Sequence, residues 1–218
     1  MIFFDLDGTL LDSNGIWLDI DIAFLGRHGI APVPEDYTQY VVHHSAPDAA
    51  RYTRERFQLA ETEEEIQTAW RNMARNAYAG QLDLKPGVLN LLRQCRQDQI
   101  LMAILTSCIP ELCQAALRHH GIETWFHSVV YAQETGLEKG NPELYRLAAR
   151  RLGCAPGECV LFEDSPGYCA AARTAGFYVV GVQDPLHTGR EKELQALCHG
   201  WVEDFRGLPA GVRKRIFL

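Results

Sequence analysis

Ile2-Phe3-Phe4 runs directly into Asp5-Leu6-Asp7-Gly8-Thr9-Leu10-Leu11-Asp12-Ser13. Three consecutive β-favouring apolar residues predict a buried strand. That strand delivers two carboxylates of equal side-chain direction, Asp5 and Asp7, to its C-terminal end, where Gly8 lets the chain turn. Alone it cannot bury itself, so the rest of the chain must supply its neighbours.

Those neighbours are predicted beyond Lys85-Pro86-Gly87. Apolar runs at 100–105, 128–131, 159–162 and 177–182 read as strands, the first of them ending at Thr106-Ser107. Helices are expected at 88–96, 110–120, 142–152 and 170–175, the last three closed by Gly121, Gly153 and Gly176. Fully apolar strands alternating with amphipathic helices imply an α/β fold with a parallel sheet covered on both faces. Toward the end, 191–198 reads as helix, Trp201-Val202 as a short edge strand, and Arg213-Lys214-Arg215 as a solvated basic end.

Between Ser13 and Lys85 the pattern is helical throughout, with segments near 16–25, 35–42, 48–59 and 61–78. The first is apolar over more than one face and is expected to pack on both sides. The last opens with Thr62-Glu63-Glu64-Glu65, a capping-box string. Residues 14–83 therefore form an all-helical domain inserted after the first strand, and residues 1–13 with 84–218 form the core domain.

Composition limits the function. The chain has 218 residues, 47% apolar and 22% charged, as ordinary globular proteins do. Its 21 Lys and Arg against 28 Asp and Glu give a net charge of −7, which repels a phosphate backbone and argues against nucleic acid as partner. Seven scattered cysteines read as small core residues in a reducing compartment. No stretch approaches the roughly 20 apolar residues a bilayer demands, and no basic leader precedes Asp5, so no membrane is expected and a cytoplasmic location is.

In an open parallel sheet, ligands bind beyond the carboxyl ends of the strands. The predicted strands deliver there Asp5 and Asp7, Thr106 and Ser107, and Glu163 and Asp164, with Lys139 in the loop after the third strand. Four carboxylates in one crevice call for a hard cation, which points to Mg²⁺. A hydroxyl, backbone N–H groups and an ammonium aimed at the same place point to a phosphate.

These residues resemble the four motifs of the haloacid dehalogenase superfamily of phosphohydrolases and phosphomutases. Asp5 to Ser13 matches the first motif without a gap. Thr106 is similar to the second, Lys139 in Glu138-Lys139-Gly140-Asn141-Pro142 to the third, and Phe162-Glu163-Asp164-Ser165 to the fourth. The resemblance implies a Rossmann-like core with a helical cap inserted after the first motif. It implies that Asp5 is the nucleophile and forms an aspartyl-phosphate, and that Asp7 is the acid and base. Thr106 and Lys139 would hold the phosphoryl group, with Gly8 and Ser107 beside them. Mg²⁺ would be held by Asp5, Asp7 through its backbone carbonyl, Glu163 and Asp164. Gly140 stands where the family often has Pro. Gly167 comes one residue early, and Tyr168 fills its usual place.

The substrate implied is a small phosphorylated metabolite, and a monomer is expected. Asp7 argues against dehalogenation, which has no leaving alkoxide to protonate. In the mutase branch a His follows the first motif where this chain has Trp17, so hydrolysis is preferred over phosphomutase chemistry. A non-catalytic phosphate-binding module is the reading from another class. Trp17 either stacks on an organic leaving group or belongs to the core. His43 and His44, in the expected cap loop, are candidates for substrate selection.

Overall fold

In the computed structural model, which describes residues 1–41, 44 and 46–217, β1 (Ile2–Phe4) lies inside a six-stranded parallel sheet. One edge of β1 pairs with β2 (Met102–Thr106), which pairs with β3 (Ser128–Tyr131). The other pairs with β4 (Val160–Glu163), followed by β5 (Tyr178–Val182) and β6 (Gly200–Val202). The order is β3-β2-β1-β4-β5-β6, and the change of direction at β1 is where such sheets open a crevice. The chain divides into two compact units, Met1–Asn14 with Leu82–Leu218, and Gly15–Gln81.

Gly15–Gln81 holds α1 (Ile16–Arg27), α2 (Glu35–Val41), α3 (Ala46–Phe57) and α4 (Glu63–Gly80). α4 starts where its sequence says it should: Thr62 Oγ1 accepts from the Glu65 amide at 3.2 Å, and Glu65 Oε2 accepts from the Thr62 amide at 2.8 Å. α1 departs from the expected two-sided packing. It buries Ile16, Ile20, Phe24 and Leu25 and leaves Trp17, Leu18 and Ile22 exposed, because the buried residues follow one stripe of a 3.6-residue helix. Phe24 meets Trp70 of α4 edge-on, with ring centroids 5.9 Å apart.

The sheet unit adds α5 (Val88–Gln97), α6 (Pro110–His119), α7 (Pro142–Arg151), α8 (Pro166–Ala175), α9 (Glu191–Leu197) and α10 (Ala210–Phe217). Successive strand residues point to opposite faces. Phe3, Leu105, Leu161 and Val179 share one face with Leu144, Tyr145 and Ala148 of α7 and Cys169 and Ala172 of α8. On the other face Phe4 stacks on Phe162 at 5.2 Å, and Phe162 meets Phe205 at 5.3 Å.

Two elements begin elsewhere than the sequence pattern predicts. The second strand begins at Met102, not residue 100; the Ile100 amide bonds to Cys95 O and closes α5, Gln99 takes a left-handed φ of +54°, and Leu101 is exposed. α8 begins at Pro166 rather than 170, since proline suits the first helical position and Ser165 precedes it in extended conformation. Arg213-Lys214-Arg215 is exposed, as expected of a solvated basic cluster, and lies within α10, with Arg215 bonding Gly157 O.

Candidate active site

β1, β2 and β4 run in parallel register, with Phe4 opposite both Ile104 and Phe162, so their C-terminal ends lie side by side. β1 stops at Phe4, and the two aspartates follow it in a loop. Their separation is therefore set by that loop and not by strand alternation. The Asp5 amide bonds to Phe162 O at 3.0 Å, which sets Asp5 next to Glu163. Asp7 turns away: Ser13 Oγ donates to its Oδ1 at 2.7 Å. Gly8 turns the chain with φ +77°, and a Cβ there would sit 2.5 Å from Asp164 Oδ2, so only glycine fits.

The carboxylates of Asp5, Glu163 and Asp164, all buried, converge with an oxygen of each within 4.8 Å of the others. Lys139 is buried among them, its Nζ 2.5 Å from Asp5 Oδ1 and 2.8 Å from Glu163 Oε2. The Tyr168 ring lies 4.7 Å from the same ammonium, and the Tyr145 hydroxyl donates to Lys139 O at 2.9 Å and steadies its backbone. Asn141 caps α7 by accepting from the Glu143 amide at 3.0 Å. Thr106 ends β2, and its Oγ1 accepts from the Cys108 amide at 2.9 Å; Ser107 follows it, exposed. Gly140 is exposed with open space where a Cβ would stand, and Gly167 lies in the first turn of α8 with the same freedom.

Three buried carboxylates face one ammonium, and the direction of each pKa shift follows from burial and that imbalance. Burial first, then the Glu163 charge, pushes the Asp5 carboxyl well above its ordinary range against the pull of Lys139. Burial, with Asp164 adding to it, likewise raises Glu163. Burial opposes the Lys139 charge, but Asp5 and Glu163 outweigh it and hold the ammonium well above the usual lysine value. Burial also works against the Asp164 carboxylate. The His187 imidazole, the Lys139 charge and the Thr9 hydroxyl prevail, and its pKa falls below the ordinary value.

The donor set suits a hard divalent cation. It consists of carboxylate oxygens only, and the 4.8 Å spread is close to the about 4.2 Å that separates opposite ligands across Mg²⁺. Glu163 Oε2 accepts from the Lys139 ammonium at 2.8 Å, and its Oε1 accepts from the Ser165 amide at 3.0 Å. A dication would balance the excess of two negative charges.

Some neighbours of the site had not been singled out from sequence. Thr9 Oγ1 donates to Asp164 Oδ1 at 3.1 Å, Asn14 Nδ2 donates to Asp164 Oδ2 at 3.2 Å, and His187 Nε2 stands 3.4 Å from the same oxygen. Thr9 lies within the first motif and Asn14 directly after it, which is a usable signal; nothing in the sequence spacing announces His187. Of the expected cap residues, Trp17 and His44 are exposed, so Trp17 is not core. His44 stacks on Tyr40 at 3.7 Å, and His43 lies outside the described residues. No helix among the described residues is long and apolar enough to cross a membrane.

The chain is similar to known proteins along most of its length. Hexitol phosphatase A of Escherichia coli K12 is 30% identical over 203 residues, covering 90% of this chain and 88% of that protein. The phosphorylated carbohydrates phosphatase of Thermotoga maritima is 25% identical over 190 residues, covering 87% and 88%. The crystal structure of a candidate β-phosphoglucomutase from Thermotoga maritima superposes with a TM-score of 0.81 at 25% identity over 92% of this chain and 93% of that one. Residues 2–182, from the first strand through β5, match the family described as haloacid dehalogenase-like hydrolase, and the chain belongs to that family.

Proposed function

We propose that this chain is a Mg²⁺-dependent phosphatase of small phosphomonoesters, sugar phosphates or similar metabolites, acting through an aspartyl-phosphate on Asp5. The observation that carries the proposal is the Asp5 carboxylate, held at the end of β1 against Lys139 and beside Glu163 and Asp164. A buried carboxylate so fixed loses little freedom on reaching an in-line geometry with phosphorus.

Asp5 Oδ attacks phosphorus, the ester P–O bond breaks, and Asp7 gives its proton to the leaving oxygen. Asp7 then takes a proton from water, which attacks the phosphorus and releases phosphate and free Asp5. The Ser13 hydroxyl holds the Asp7 carboxyl in place for both transfers. Thr106 and Lys139 bind phosphoryl oxygens, with Gly8 and Ser107 beside them. Asp5, Glu163, Asp164 and the Asp7 carbonyl would hold Mg²⁺, which would supply charge neutralisation as two anions approach. The helical unit serves as the cap that limits water access, and Trp17, exposed on α1, and His43 and His44 contribute to choice of substrate.

Seven free thiols suit a reducing cytoplasm, and the net charge of −7 suits neither nucleic acid nor an anionic membrane surface as partner. We take the working unit as a monomer.

The test is a panel of sugar and aryl phosphates with Mg²⁺ or excess chelator, read for both free phosphate and isomerised sugar phosphate. Phosphate release that needs Mg²⁺ and falls by at least about 10³-fold in Asp5→Asn is the expected result. Isomerised product without phosphate release identifies a mutase. Turnover retained in Asp5→Asn ends the nucleophile assignment.

A further inference from the structure

Asp164 is held from one side by a line of polar groups, two of them buried, that the chemistry above does not use. Lys85 Nζ lies 2.6 Å from Asp184 Oδ2 and also donates to Gln183 O at 2.7 Å. Both side chains are buried, and 99 residues separate them in sequence. Asp184 Oδ1 accepts from Asn14 Nδ2 at 2.9 Å, and the same nitrogen donates to Asp164 Oδ2 at 3.2 Å. One amide nitrogen thus spends its two hydrogens on two carboxylates. Both partners are acceptors, so the amide nitrogen, not its oxygen, must face them.

A second acid sharing one amide nitrogen with Asp164 is costly unless something compensates it. Lys85 does so for Asp184, and the neutral Asn14 transmits the contact to Asp164 without adding charge. Gly8 makes room for the bridge: a Cβ at that position would stand 2.2 Å from Asn14 Nδ2. Asp164 Oδ1 meanwhile accepts from Thr9 at 3.1 Å, so both of its oxygens are oriented and lone pairs remain for a cation. Asp184 also accepts from the Leu186 amide at 2.9 Å, which gives it a purely structural alternative role as a turn cap.

We propose that Lys85, Asp184 and Asn14 form a positioning relay that fixes the Asp164 carboxylate for divalent-cation binding, with Asn14 as the residue through which the other two act. The relay rests on the assignment of Asp5, Glu163 and Asp164 as the Mg²⁺ site. Outer-sphere partners of this kind typically affect metal affinity by about 10–100-fold.

The test uses the full chain and Mn²⁺ as probe, with free Mn²⁺ counted by electron paramagnetic resonance and Mg²⁺ added as competitor. Near-ultraviolet circular dichroism confirms the fold of each variant. Asn14→Ala, at a partly exposed position, is expected to weaken Mn²⁺ binding about tenfold or more. Replacing the ion pair as a unit, Lys85→Met with Asp184→Asn, avoids leaving one buried charge alone. It should weaken binding when Asn14 is intact and add less than about twofold on top of Asn14→Ala, the signature of a shared route. A merely structural role predicts lower unfolding temperatures with unchanged Mn²⁺ affinity of the folded protein, and that result overturns the relay. So does an additive effect of the pair replacement. A wild-type chain that takes up no Mn²⁺ or Mg²⁺ overturns the metal assignment together with the relay, whereas wild-type binding that survives all the substitutions overturns the relay alone.

Discussion

Asp21 is a carboxylic acid on the buried stripe of α1. Its Oδ1 accepts from the Tyr37 hydroxyl at 3.2 Å, and that hydroxyl also meets Thr53 Oγ1 at 3.0 Å, whose own bond runs to Ala49 O at 2.7 Å. One hydrogen bond does not offset burial, which pushes the Asp21 pKa up to about 6. Below about pH 4 the group is protonated in folded and unfolded chains alike and contributes nothing to pH dependence. Between there and about 6 the unfolded chain has lost the proton that the folded chain keeps, so stability falls as pH rises, and above about 6 the loss is complete. Asp21→Asn keeps an acceptor for Tyr37 and removes the charge. It should stabilise the protein at pH 8 by about 1–3 kcal/mol, and the gain should vanish towards pH 4; calorimetric unfolding at the two pH values checks it. This residue shows what escapes sequence reasoning: Asp21 reads as a polar break in an apolar run, because its partners come from other helices. The motif residues were legible for the opposite reason, since each sits at a strand end or loop whose chemistry is local. The Lys85–Asp184 pair was not, because Lys85 reads only as part of a Lys-Pro-Gly turn.

Elements were predicted best where their ends carry their own hydrogen-bonding groups. α4 is the clearest case, and its capping box makes a definite claim. Thr62→Ala removes a side-chain acceptor for the Glu65 amide and should lower stability by about 1 kcal/mol, seen as a lower denaturant midpoint with the slope unchanged. Where a helix end overlaps a stretch whose composition suggests another element, sequence reasoning slips. The apolar pair Ile100-Leu101 looks like strand, yet Ile100 serves to close α5 and leaves Leu101 outside. The first turn of α8 looked like a loop because glycine and tyrosine follow Pro166, although proline at a first helical position favours the turn.

At the scale of the molecule, the helical insertion leaves and rejoins the sheet unit along one paired stretch. Leu11 bridges Leu84 in antiparallel fashion, the Asp12 amide bonds to Asp83 O at 3.0 Å, and the Lys85 amide bonds to Leu10 O at 2.9 Å. The all-helical character of the insertion and the parallel sheet were both legible from periodicity, since apolar strands and helical stripes repeat on different spacings. The sheet unit has its own buried cluster, from Phe3 through Leu194. Replacing residues 15–81 by a turn of about four residues should therefore leave a chain that unfolds cooperatively with native-like near-ultraviolet dichroism; a broad transition without that signal refutes its independence. The sheet order carries a consequence in time. β1 is synthesised well before its partners, since its two edges are filled by strands about 100 and 160 residues later. Ile2-Phe3-Phe4 has both edges open until β2 emerges and one edge open until β4 does, so co-translational folding of the sheet is late, governed by long-range pairing, and exposed to aggregation over that interval.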